Sequence, residues 1–166
     1  MKKSILVVLF ALAALGLVSA ATTGGAIVTG TVAEQLSVAI TGASSGNNTT
    51  FEIVQTGETA RSLGSVKVIS NYKSWYIRVS SGNTGNLGKL VNTDGETIDY
   101  QFTMGSLVGL QAVELDATAE SHMTAKTAKL GDTYTMAIAY GDSGTSFYSK
   151  DGGNFTDTIT ITVAAN

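Results

Sequence analysis

Several stretches of this chain carry residue types that do chemistry elsewhere. The first, GDSG at 141–144, sets Ser143 between an aspartate and a glycine, a pattern that serves a serine nucleophile when backbone amides form an oxyanion hole. Such a serine needs a histidine as base and an acid to orient it. The chain's single histidine, His122, lies a short distance upstream. With no second base available, the stretch reads as a glycine turn after a strand ending at Tyr140. GASSG at 42–46 fits the G-x-S-x-G pattern, but that motif needs a strand before it and a helix after it, and NNTT follows. SNYK at 70–73 fits S-x-x-K without the S-D-N and K-T-G partners that complete that site. The expectation is therefore that the protein is not an enzyme and carries no catalytic residue and no cofactor.

Oxygen donors suited to calcium occur as Asp151, Asn154 and Asp157 in KDGGNFTD, and as Asp94 and Glu96 in NTDGE. Neither set has EF-hand spacing, and both read as solvated hairpin tips. His122 alone cannot build a zinc site, and the absence of cysteine removes thiolate ligands, thiol nucleophiles and disulfides. The expected metal complement is none. Aromatic residues cluster in NYKSWY. Trp75 shares a face with Ile77 and Val79 and reads as core, which leaves Tyr72 and Tyr76 as candidates to face a ligand such as a glycan.

The elements that must position these residues are strands. Period-two alternation places Leu36, Val38 and Ile40 on one face, then Trp75, Ile77 and Val79, then Ile98, Tyr100, Phe102 and Met104, then Tyr134, Met136, Ile138 and Tyr140, and finally Ile159, Ile161 and Val163. Between them lie GASSGNNTT, SSGNTGN, NTDGE and GDSGTS, dense in residues that form turns. Proline is absent, so Gly, Asn, Asp and Ser make the turns. Seven to eight such strands predict an all-β, immunoglobulin-like antiparallel β-sandwich. Its expected core is Trp75, Ile77, Ile98, Tyr100, Phe102, Met136, Ile138, Ile159, Ile161 and Val163. The Ala-, Glu- and Lys-rich stretch LQAVELDATAESHMTAKTAKL predicts a strand over 110–116 and an irregular excursion over 117–128, although its composition would also suit a helix.

At the start, Lys2 and Lys3 precede an apolar run from Ile5 to Val18 and a Val-Ser-Ala segment ending at Ala20. This is the pattern of a bacterial export signal spanning 1–20 and cleaved after Ala20, too short and interrupted for a stable membrane span. Residues 21–166 are then expected to form a single domain, exported to the periplasm or the cell surface. Removing Lys2 and Lys3 from the ten basic residues leaves eight against thirteen acidic ones, a formal charge near minus five. With no basic patch to release counterions, nucleic acid is not expected as a partner.

The order GTVAEQLSVAI, GSVKVISNYKSWYIRVSSG, GKLVNTDGETIDYQFTM, GDTYTMAIAY and GGNFTDTITITVAAN resembles the spore coat protein U and fimbrial-subunit-like families of secreted bacterial β-sandwiches, related to the pilins of archaic chaperone-usher pathways. The absence of cysteine departs from the pair those subunits usually carry. The resemblance implies a non-catalytic subunit of a fimbria-like or coat-like surface assembly, joined by strand exchange, with copies of itself, related subunits or a periplasmic chaperone as partners. In that arrangement ATTGGAIVTGTVAE, with Ala26, Val28, Gly30 and Val32 at period two, is the candidate donor, and Ile159, Ile161 and Val163 lie on the strand it joins. A long flat strand over 155–164, whose single charge is Asp157, is expected to be covered by residues 26–33 of its own chain or of a neighbour. The alternative is a monomeric exported module that binds a glycan or protein.

Overall fold

Alternating apolar residues become eight strands because each strand can turn one face toward a shared core. A computed structural model describes residues 29, 32–44, 46–141, 147 and 150–166. The strands are β1 (Leu36–Gly42), β2 (Glu58–Ser70), β3 (Trp75–Ser81), β4 (Lys89–Val91), β5 (Thr97–Met104), β6 (Ala119–Met123), β7 (Asp132–Tyr140) and β8 (Ile159–Ala165). All eight belong to the compact unit Ala33–Asn166. No helix occurs among the described residues. A five-stranded sheet runs β1-β2-β7-β5-β4 and a three-stranded sheet runs β6-β3-β8, with every pairing antiparallel. The protein is thus an all-β sandwich.

Alternation decides which residues meet. On β3, Trp75, Ile77 and Val79 are fully buried while Arg78 is exposed, and on β5 Ile98, Tyr100, Phe102 and Met104 are buried while Asp99 and Gln101 are exposed. Val66 and Val68 of β2 and Met136, Ile138 and Tyr140 of β7 complete the inner face of the larger sheet. The indole N–H of Trp75 donates to the Ala125 carbonyl at 2.8 Å, so the ring's one polar atom is satisfied at the core's rim. Ile159, Ile161 and Val163 also turn inward, but they are only half-buried against this core.

Glycine matters most at Gly64. The register of β2 against β7 shifts between Ser62 and Gly64, and Gly64 has φ of +107°, with a Cβ there falling 2.0 Å from the Thr41 carbonyl oxygen. At this bulge β1 ends its pairing, since Gly42 lies opposite Gly64 and Leu36 opposite Ser70. The Glu58–Ser62 half of β2 therefore pairs with β7 on one side and with no described strand on the other.

Three expected boundaries are corrected. Residues 110–116 are loop, joined to β5 by an isolated bridge between Val113 and Phe102 and by a hydrogen bond from the Met104 amide to the Leu110 carbonyl, with Leu110 and Leu115 plugging the core. The excursion over 117–128 instead contains β6, which pairs along β3 with His122 opposite Tyr76. The terminal strand is also shorter than 155–164: it begins at Ile159, while Thr156 bridges Val91 of β4 on the far side of the larger sheet.

Candidate functional site

The most prominent opening in the described unit forms where the two sheets part. β8 pairs with β3 through the register Trp75–Ala165 to Ser81–Ile159, and no described strand pairs with its other edge. β1 is likewise the last strand of its sheet, and it lies beside β8 across the sandwich. In an antiparallel strand every second residue directs its N–H and C=O to one neighbour, so half the backbone groups of β8 point away from β3.

Burial records the same gap. Ile77 and Val79 on β3 are 0% exposed, whereas their direct partners Val163 and Ile161 on β8 remain half-exposed, and Val38 on β1 is 41% exposed. Between these edges a groove of about 970 Å³ enters the sandwich, with Ile40, Leu63, Ile138, Phe155, Ile159 and Ile161 among its apolar lining. Side chains supplied at alternate positions by one further strand would fill such a space.

One carboxylate lines the groove, and another braces Tyr140 and Arg61, which pack on its lining residue Phe51. Where the chain enters β8, Asp157 Oδ2 accepts hydrogen bonds from the Tyr100 hydroxyl at 2.5 Å and from Ser81 Oγ at 2.7 Å, while Oδ1 accepts from the Thr158 amide at 2.7 Å. Burial, with the adjacent Asp157 carboxylate, pushes the Tyr100 phenol far above its ordinary value. Behind Phe51, Arg61 donates to both oxygens of Glu58 at 2.6 and 2.7 Å, and the Tyr140 hydroxyl donates to Glu58 at 2.6 Å. The bonds from Arg61, then that from Tyr140, hold the Glu58 carboxyl below the usual range. The Tyr140 hydroxyl in turn accepts from the Val54 amide at 3.2 Å.

The residues singled out by type are dispersed. Gly141 closes β7 with φ of +66°, as a turn would, while Asp142, Ser143 and Gly144 lie outside the described residues, as does Ser45 of GASSG. Glu96 accepts from the Asn92 side chain at 3.1 Å and from the Asp151 amide at 2.8 Å, so it ties two loops together. Among the described residues no group of three or more His, Cys, Asp or Glu is placed to hold a metal ion. Tyr72 donates its hydroxyl to Glu34 at 2.6 Å. Tyr76 lies on the outer face of β3 with the Arg78 guanidinium 5.1 Å above its ring and the His122 ring 5.7 Å away, so one ring face is already covered. Of the candidate assembly residues, Ile159, Ile161 and Val163 come together along the open edge and Val32 is 84% exposed. Ala26 and Val28 lie outside the described residues.

Sequence reasoning missed Glu58, Arg61, Phe51 and Ile53. TFEIV at 50–54 does carry the period-two signal, but its neighbours NNTT and QTG mark it as loop. Searched against protein-family models and against curated protein sequences, the chain matches none.

Proposed function

We propose that the protein is a non-catalytic, exported structural subunit of a fimbria-like or coat-like surface assembly, joined to its neighbours by strand addition. The observation that carries this reading is the edge of β8 that no described strand pairs, beside an apolar groove. A strand with alternating apolar side chains supplies both missing features at once: ladder hydrogen bonds along β8 and side chains for the groove. The segment around Ala26, Val28, Gly30 and Val32 has that pattern, and a second copy of the chain is its source. Small side chains at these positions suit a narrow inter-sheet space. The lysine-led apolar start of the sequence supports the exported address.

Sedimentation of the exported protein across a concentration series tests the proposal. The expected result is assembly that grows with concentration and is lost on Val28→Asp, with the far-ultraviolet β-sheet spectrum unchanged. A wild-type protein that remains monomeric at every concentration overturns it.

A further inference from the structure

Residues 49–54 lie along the groove in a conformation that the sheet does not explain. Phe51 and Ile53 are half-buried against the core while Thr50, Glu52 and Val54 are exposed, the alternation of a strand. Yet the segment belongs to no ladder, and among the described residues the backbones of Phe51, Glu52 and Ile53 make no hydrogen bond. It runs beside the half of β2 that β1 leaves unpaired. Both apolar residues line the same groove as Ile159 and Ile161.

Its attachments are concentrated at the two ends. Thr49 Oγ1 donates to the Leu63 carbonyl at 2.8 Å and accepts from the Ala43 amide at 3.1 Å, and the Thr50 amide donates to Ser44 Oγ at 2.9 Å. At the far end the Val54 amide meets the Tyr140 hydroxyl. Between these points the contacts with described residues are made by side chains: the Phe51 ring stacks on Tyr140 with centroids 5.8 Å apart, and the Arg61 guanidinium lies 5.2 Å from the Phe51 centroid.

We infer that residues 49–54 act as a placeholder strap, in which Phe51 and Ile53 shield the apolar groove until an incoming strand displaces them. The inference rests on the strand-addition reading and names the regulation of that same groove. An exposed cleft of this kind is a hazard for nonspecific association. A strap with alternate apolar residues lessens that exposure. Because it forms no ladder, its displacement by a strand that does form one gives up side-chain burial without breaking sheet hydrogen bonds. The Thr49 and Val54 anchors leave the strap attached, able to return when the strand leaves.

Hydroxyl-radical labelling and amide hydrogen exchange on the full chain, with and without excess peptide GGAIVTGTVAE, test this. The expected result is slower amide exchange across β8 together with increased labelling of the Phe51 and Ile53 side chains. Slower exchange across β8 with labelling of Phe51 and Ile53 unchanged or reduced overturns the strap and leaves strand addition standing. Unchanged exchange at β8 overturns both. In a second arm, Ile53→Ala and Tyr140→Phe should each raise the peptide association rate, by about tenfold where the strap closes the groove about nine-tenths of the time. Equal rates in wild type and both variants would show that the strap does not gate the groove.

Discussion

Tyr100 gives the sharpest quantitative test of how the lower wall of the groove is held. It is 2% exposed and donates to Asp157 at 2.5 Å, so ionising it would place a phenolate in the core beside a carboxylate. Its folded-state pKa is raised, mainly by burial and then by Asp157. The unfolded chain therefore releases this proton at about pH 10 while the folded chain retains it. Above that pH the folded state binds more protons, so the stability that Tyr100 contributes is complete below about pH 10 and is lost as pH rises, by about 1.4 kcal/mol per unit. Tyr100→Phe removes this titration and also removes one charge-assisted hydrogen bond, about 1.5–3 kcal/mol. The variant should be weaker by that amount at pH 8, lose stability more slowly above pH 10, and meet the wild type about one to two units higher. Other tyrosines with raised values, Tyr72, Tyr134 and Tyr140, titrate in both proteins and cancel in the difference. Urea unfolding followed by the fluorescence of Trp75, the chain's one tryptophan and 1% exposed, measures both curves. Parallel curves between pH 10 and 12 would refute the assignment of Tyr100 as a buried neutral donor.

Two substitutions test the open edge and the bulge. Ile77→Ala should cost about 2–5 kcal/mol, whereas Ile161→Ala, on the half-exposed strand β8 opposite Val79, should cost only about 1 kcal/mol while weakening uptake of GGAIVTGTVAE; equal unfolding penalties in urea would mean that the β8 face is already filled. Gly64→Ala should destabilise by about 1–3 kcal/mol from its positive φ alone, with the close Thr41 carbonyl adding to this, and amide exchange should show β1 released before the β2–β7 pairing.

The parts of this fold that were legible in the sequence are the strands whose inner residues are large. Trp75, Ile77 and Val79 on β3, and Ile98, Tyr100 and Phe102 on β5, alternate with polar residues and are buried as that pattern requires. β6 escaped because its buried inward residue is Ser121, flanked by the half-buried Ala119 and Met123, so little apolar periodicity marks it. Its existence follows from pairing with β3, a long-range contact. Asp157 was legible only as an oxygen donor. Its partners Tyr100 and Ser81 lie 57 and 76 residues away, and only the folded sheets bring them to the same carboxylate.

The groove shows the deeper limit. Alternation in TITITV says which face of β8 turns inward, and that face does turn inward. It cannot say whether the strand's second edge finds a partner, because edge pairing depends on where another strand stops. The strand beside β8 is β1, whose own pairing with β2 ends opposite Gly64, where the bulge and a carbonyl 2.0 Å from any added Cβ break the ladder. Beyond that point no described strand joins the Glu58–Ser62 half of β2 on the side away from β7, and Phe51 and Ile53 line the groove. Extending the β1 pairing below Gly64 should narrow the groove from the β2 side, where Leu63 lines it, and with it the site proposed for an incoming strand.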